Sequence, residues 1–274
     1  MQGQFRQAGR LCDNRPVPDF TPFEGNPDFI LSLARGLAII EAFGDHPDGV
    51  TVADVAARTA LSRAAVRRGL LTLEMLGYAC HTGPVYKLSS RILRLGFSFL
   101  SSNSLATLAL PILEELRDTI QESSSLSILE GGEIVYIARS GTNRVMSVGL
   151  AVGSRLPAYC TSMGRVLLAA LPDPEVAAAL GRLPLPRRTP KSIVNRTTLK
   201  AELARVREQG FSLVSEELEL GLRSLAVPVI TRSGKLVAAM NAGVHASRIS
   251  TEVMLKKFLP ALKAAAHRLG QSLP

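Results

Sequence analysis

The chain has 274 residues, 46% of them hydrophobic, with a formal net charge of +9. That length accommodates two domains, and the excess of basic side chains suits an anionic partner. No apolar run approaches the ~20 residues that span a bilayer, and neither the three cysteines (Cys12, Cys80, Cys160) nor the four scattered histidines have the spacing of a disulfide framework, metal site or catalytic triad. The first residues lack the basic-then-apolar layout of a signal peptide. The expectation is a cytoplasmic protein with no membrane partner, no metal and no cofactor.

Residues 1–28 carry Pro16, Pro18, Pro22 and Pro27 among polar residues and read as a flexible tail. Leu33, Leu37, Ile40 and Ala42 then mark a first helix closed by Gly44. Arg35 lies near its start, where a cation opposes the helix dipole. It is read either as a phosphate contact or as a solvated side chain.

Thr51 is placed to cap a second helix with Val52, Val55 and Ala56 on one face, ending near Thr59. After the short Ala60-Leu61 connection, Ser62 caps a third helix whose Val66, Leu70, Leu73 and Leu76 make a buried stripe. Gly77 falls where a left-handed C-cap is expected. Arg63, Arg67 and Arg68 occupy the first two turns of that helix, away from the leucine stripe. Two strands around Thr82-Gly83-Pro84 follow at once and read as a hairpin. Helix, tight turn, arginine-bearing helix and hairpin make a winged helix-turn-helix, which inserts the third helix into the major groove of double-stranded DNA. Arginine there pairs with guanine edges or clamps phosphates. The DNA contacts expected are Arg35, Ser62, Arg63, Arg67, Arg68 and Thr72, with Thr82 and Lys87 from the wing.

Ser89 is read as the cap of a linker helix through Ile92, Leu93, Leu95, Phe97 and Phe99, broken at the polar Ser101–Ser104 stretch. A longer helix from Leu105 to Glu122 shows Leu108, Ile112, Leu116 and Ile120 on one face, with Pro111 either inside it or splitting it. The texture then becomes strand-like. Leu126–Leu129 and Ile134–Ala138 flank Gly131-Gly132 as a hairpin, helices are expected at Met163–Ala170, Pro174–Leu180 and Leu199–Gln209, and strands at Phe211–Val214, Leu225–Ile230 and Leu236–Gly243. Thr251–Leu269 closes the chain as a helix. The fold class is α+β. A winged helix-turn-helix (29–90) and a linker helix (91–104) precede an α/β, sensor-like (GAF-like) domain with one twisted sheet (105–274).

Two segments of the second half read as a pocket. In GSRLPAYCTSMGR, Thr161 or Ser162 caps a helix whose free N–H groups suit a small carboxylate. In EELELGLRS, a polar bend opens into a strand, and Ser224 and Asn241 are placed to share one cavity from neighbouring strands. The alternative is an ordinary capped helix packed on a sheet, with Arg223 holding one of the glutamates. Cys160 beside Thr161 is read as a small buried residue rather than a nucleophile, since no histidine lies near it in sequence.

From about Phe29 onward the chain resembles the IclR family of bacterial transcriptional regulators. The matching stretches are SLARGLAIIEAF, MLGY with YKLSSRILRLG, LPAYCTSMGRVLLA, GFSLVSEELELGLRSLAVPV and AAMNAG. Two of these, LPAYCTSMGRVLLA and EELELGLRSLAVP, resemble the branch that regulates protocatechuate, 4-hydroxybenzoate and β-ketoadipate catabolism. The resemblance implies a homodimer or dimer of dimers on a palindromic operator, and a C-terminal domain binding a small organic acid. It implies ligand contacts at Ser162, Met163, Val214 or Ser215, Ser224, Asn241 and Gly243. Tyr159, Thr161 and Arg223 complete the expected effector-binding set. The family's commoner acidic pair is absent at Val214-Ser215 and its serines are absent at Asn241 and Gly243, which favours an aromatic or dicarboxylic acid of the protocatechuate, 4-hydroxybenzoate or β-ketoadipate class over glyoxylate. The expected function is an effector-responsive DNA-binding regulator of aromatic-compound catabolic genes. The rival is an enzyme acting on a small organic acid, with the winged helix as a regulatory module, but no catalytic base or metal cluster is visible for it.

Overall fold

A computed structural model describes residues 18–44, 46, 48–96, 104–142 and 150–273. The chain divides into two compact units between residues 102 and 103. The expected break of the linker helix, with Phe97 and Phe99, lies outside the described residues, as do residues 1–17 of the expected tail. Residues 18–28 are not featureless: a 3-10 turn at Thr21–Phe23 stacks the Phe23 ring on Phe29 at 4.7 Å.

The N-terminal unit is α1 (Leu31–Glu41), α2 (Val52–Thr59), α3 (Arg63–Met75), β1 (Ala79–Thr82) and β2 (Val85–Leu88). Local chemistry accounts for each boundary. Thr51 Oγ1 accepts from the Asp54 N–H at 3.3 Å while the Asp54 carboxylate accepts from the Thr51 N–H at 2.8 Å, a reciprocal cap worth about 1 kcal/mol. Ala60 takes the left-handed conformation (φ 53°) between α2 and α3, and Ser62 Oγ accepts from the Ala65 N–H at 3.2 Å to start α3. Gly77 (φ 77°) ends it. Val50 and Tyr86 exchange both backbone hydrogen bonds, at 2.9 and 2.8 Å, which fastens the loop before α2 to the wing. The core is Ile39, Val50, Val55, Val66, Leu70, Leu73 and Tyr86.

Two expected stripes are corrected. Helix α1 buries Ala38 and Ile39, followed by Ala42 and Phe43, and leaves Leu33 and Leu37 exposed at 59% and 50%. The cause is a close approach at Gly69, where an added Cβ would stand 2.3 Å from Ile39 Cδ1, so α1 docks on α3 through Ile39. Leu76 is also exposed, because it is the C-cap of α3 at which the chain turns away.

In the C-terminal unit α4 (Ser104–Ile120) runs unbroken through Pro111. It buries Ala109, Leu113 and Leu116, whereas the expected Leu108 is on the exposed side. The strands are β3 (Ser123–Glu130), β4 (Glu133–Ser140), β5 (Arg155–Pro157), β6 (Ser212–Ser215), β7 (Leu222–Ile230) and β8 (Leu236–His245). They form one antiparallel sheet in the order β5-β4-β3-β8-β7-β6. Alternation along the strands divides the unit into two cores. Leu126, Leu225, Val227, Met240 and Ala242 face α4 and α8 (Leu259–Gln271), which a π-helical stretch at Met254–Phe258 precedes. Ile134, Tyr136, Ala226 and Ala239 face the other layer, α5 (Ser162–Ala169), α6 (Asp173–Arg182) and α7 (Arg196–Gln209).

One irregularity sets the site. Leu126 pairs with Ala138 but Ser127 pairs with Tyr136, so Ile137 is an extra residue in β4. A bulge of this kind carries two consecutive side chains on one face. Ile137 and Ala138 accordingly both join the α4/α8 core, and Arg139 falls on the same face as Tyr136 although they are three residues apart.

Candidate functional site

Arg63, Arg67, Arg68 and Thr72 are all exposed on α3. Within the described residues no hydrogen bond or ion pair holds the three guanidinium groups, so they are available to an external anion. Thr72 is less free, because its hydroxyl donates to the Arg68 carbonyl at 2.8 Å. Ser62 spends its oxygen on the helix cap. On the wing, Thr82 and Lys87 are exposed, and His81 Nδ1 lies 2.6 Å from Glu74 Oε1, linking β1 to α3. Arg35 is exposed in the first half of α1. These eight expected positions all belong to one unit, which presents solvated cations on the helix that a winged helix-turn-helix places in the major groove.

The second site lies between the sheet and α5. A cavity is lined by residues from six strands and the α5 N-terminus, the concave, mostly apolar setting with a few polar groups that small-molecule sites use. Leu150, Leu156, Leu218 and Leu222 provide apolar wall, and Ser162, Met163, Thr161 and Cys160 come from the start of α5 and the turn before it. The start of α5 is built for closeness. Thr161 Oγ1 accepts from the Gly164 N–H at 3.3 Å, and a Cβ on Gly164 would meet the Ala158 carbonyl oxygen at 2.2 Å. Ser162 Oγ and Ser224 Oγ are 2.8 Å apart and join helix to sheet.

Of the expected effector contacts, the structure brings Thr161, Ser162, Met163, Val214, Ser224, Asn241 and Gly243 to this cavity. Three are elsewhere. Tyr159 turns away and donates its hydroxyl to the Pro186 carbonyl. Arg223 points off the opposite face of β7, where its guanidinium donates to the Ala246 and Ile249 carbonyls at 3.2 and 2.5 Å. Ser215 is held by Arg223 Nε at 3.0 Å, so the partner of Arg223 is neither a glutamate nor a cavity ligand.

The sequence reading missed Tyr136 and Arg139 of β4, Ser123 of β3, and Glu217 of the polar bend, all of which line the cavity. Tyr136 is buried and its phenol is pushed up to about 12 by desolvation. Arg139 is held below the usual guanidinium range by the same cause, and its Nη1 donates to Ser125 Oγ at 3.0 Å. Glu217 is neutralised from behind: Arg165, 1% exposed, donates to its carboxylate at 2.6 Å, and the Ile193 N–H donates at 3.0 Å. Arg165 also lies 3.7 Å from Glu202 of α7. Asn241 is nearly buried, and its Oδ1 has no hydrogen-bond partner. Burial pushes the Cys160 thiol up to about 11, the reverse of what an activated nucleophile needs. Among the described residues there is no group of three or more His, Cys, Asp or Glu placed to hold a metal, and no helix long and apolar enough to cross a membrane.

A winged helix carrying solvated arginines, in one chain with a cavity of apolar walls and a few polar groups, defines the class of effector-binding transcriptional regulators. The chain belongs to the IclR family: the IclR helix-turn-helix domain matches residues 32–81 and the bacterial transcriptional regulator IclR C-terminal domain matches residues 97–271. It is 46% identical to the Pca regulon regulatory protein of Pseudomonas putida over 94% of this chain and 89% of that protein. A crystal structure of a transcriptional regulator from Rhodococcus sp. RHA1 matches with a TM-score of 0.80 and 47% identity, covering 89% of this chain and 98% of that one. The inducer-binding domain of the PobR transcription factor from Acinetobacter, solved as a double mutant with 3-hydroxybenzoic acid, matches with a TM-score of 0.59 and 32% identity over 61% of this chain and 98% of that one.

Proposed function

We propose that this IclR-type regulator controls genes of aromatic-acid catabolism, binding a palindromic operator as a cytoplasmic homodimer and responding to a small aromatic acid held in the C-terminal cavity. The observation that carries the effector reading is the cavity itself: apolar walls around one half-buried arginine that is hydrogen-bonded to a neutral serine hydroxyl, and one unpartnered amide oxygen. An apolar body with an anionic end and a second polar group complements that lining. Support comes from the regulator of the Pca regulon and from the domain solved with 3-hydroxybenzoic acid. DNA contact is assigned to Arg63, Arg67 and Arg68, with Lys87, Thr82 and Arg35 on phosphates and Ser62 and Thr72 in accessory roles. Effector contact is assigned to Thr161, Ser162, Met163, Val214, Ser224, Asn241 and Gly243.

The ligand changes DNA affinity only to the extent that it binds one DNA-binding arrangement better than another. The test is calorimetry of the full chain with protocatechuate, 4-hydroxybenzoate and β-ketoadipate, joined to selection of a DNA site from a random pool. The expected results are heat from at least one acid, an inverted-repeat consensus, and a shift in DNA affinity on adding that acid. No heat from any of the three overturns the effector reading, and a consensus without two-fold symmetry overturns the dimeric one.

A further inference from the structure

We propose that Arg139 is the residue that holds the effector's carboxylate, with Asn241 accepting a hydrogen bond from a hydroxyl on the same ligand. This rests on the reading that the cavity binds a small aromatic acid.

Sheet register places the two groups. Arg139 of β4 pairs with Ser125 of β3, and Ser125 pairs with Asn241 of β8, so the three form one row across the sheet. Neighbouring strands are ~4.8 Å apart, which puts the outer two backbones roughly 10 Å apart. Arg139 reaches back along the row to Ser125 Oγ at 3.0 Å. Its guanidinium and the Asn241 amide thus line the same cavity from the two outer strands of the row.

Charge accounting points the same way. Among the described cavity residues Arg139 is the one lysine or arginine; its hydrogen bond is to a neutral hydroxyl, and no described carboxylate is in reach. The cavity's own carboxylate, Glu217, already has Arg165 and the Ile193 N–H. A half-buried guanidinium lacking a counter-ion carries a desolvation cost, and that desolvation draws its pKa down. A carboxylate ligand supplies the missing charge through charge-assisted bonds. The α5 N-terminus, by contrast, offers only about half a unit charge, and Thr161 already occupies one of its N–H groups. At the other end, Asn241 Oδ1 is an acceptor without a donor. A second carboxylate has no hydrogen to give it, whereas a phenolic hydroxyl does. The row therefore selects a hydroxylated aromatic monoacid over a keto diacid.

The experiment is calorimetry on the full chain as wild type, Arg139→Gln, Arg139→Lys and Asn241→Leu, each checked for folding by thermal unfolding. The ligands are 4-hydroxybenzoate, protocatechuate, benzoate, β-ketoadipate and the neutral 4-hydroxybenzamide. For whichever hydroxy acid binds the wild type, Arg139→Gln is expected to weaken it by about 30-fold or more. 4-Hydroxybenzamide is expected to change by less than about threefold, and Arg139→Lys to recover part of the loss. Benzoate is expected to bind the wild type about tenfold more weakly than 4-hydroxybenzoate, a gap that Asn241→Leu closes. Equal acid affinity in wild type and folded Arg139→Gln overturns the role of Arg139 while leaving the effector reading intact. Binding of β-ketoadipate alone overturns the role of Asn241. Silence from every acid with the wild type overturns the effector reading and this inference together.

Discussion

Arg67 on α3 and Arg139 on β4 are the same side chain in two dielectric settings. Arg67 is exposed, lacks an internal partner, and belongs to a group of three. Its charge acts through water on whatever polyanion approaches, an interaction that displaces counter-ions and weakens with salt. Arg139 is half-buried at the wall of a mostly apolar cavity and fixed by one serine hydroxyl. There a charge is expensive alone and strong when matched, so it rewards one geometry. Solvated arginines suit affinity for a long charged surface, and a half-buried arginine lining a cavity suits discrimination among small molecules. Arg165 is a third case, buried with its carboxylates supplied by the protein.

The largest expected effect contrasts this third case with the first. Arg165→Met leaves Glu217 without its counter-ion in the interior and is expected to cost about 3–5 kcal/mol, measured as the shift in urea midpoint. Arg67→Ala, on a solvated face, is expected to change stability by less than about 0.5 kcal/mol. Similar costs for the two would collapse the distinction.

Next comes alkaline pH, which tests how dry the cavity region is. Burial raises Tyr136 from an ordinary 10.0 to about 12 and Cys160 from 9.0 to about 11. A raised folded-state pKa contributes stability that is complete below the unfolded value and is lost as pH climbs toward the folded one. Unfolding midpoints should therefore be flat up to about pH 9 and fall between pH 9 and 12, by on the order of 2–3 kcal/mol for the tyrosine. Tyr136→Phe should flatten the upper part of that fall. A curve for the variant that superimposes on wild type would mean the phenol is solvated.

In DNA binding the ranking of arginines reverses. Arg67→Ala is expected to weaken affinity for the cognate site by about 10- to 100-fold and to make its salt dependence shallower, as read in anisotropy titrations. Affinity within twofold of wild type would remove that side chain from the interface. The smallest effect expected is that of Asn241→Leu without ligand. Removing an unpaired buried acceptor should leave stability unchanged or raise it by up to about 1 kcal/mol, so a clear loss in thermal unfolding would show that Oδ1 has a structural partner.

Much of this was legible in the sequence, unevenly by region. Thr51, Ser62 and Gly77 sit at the helix ends expected of them because capping is settled within four residues. That the start of α5, Ser224 and Asn241 share one cavity was also legible. Arg223 and Ser215 were misplaced because strand β7 was expected to begin at Leu225. It begins at Leu222, and alternation then sends Arg223 to the face opposite Ser224. Arg139 was missed for a different reason. Strict alternation puts it opposite Tyr136, and only the bulge at Ile137 brings the two together.

By itself, then, the sequence determined the winged helix, its arginine face and the order of elements behind it, since these follow from spacing and capping along a few residues. The tertiary structure decided which side chains share the cavity. That outcome depends on strand register, on one extra residue in β4, and on Arg165 having taken Glu217 out of the competition for Arg139, none of which is a local property of the chain.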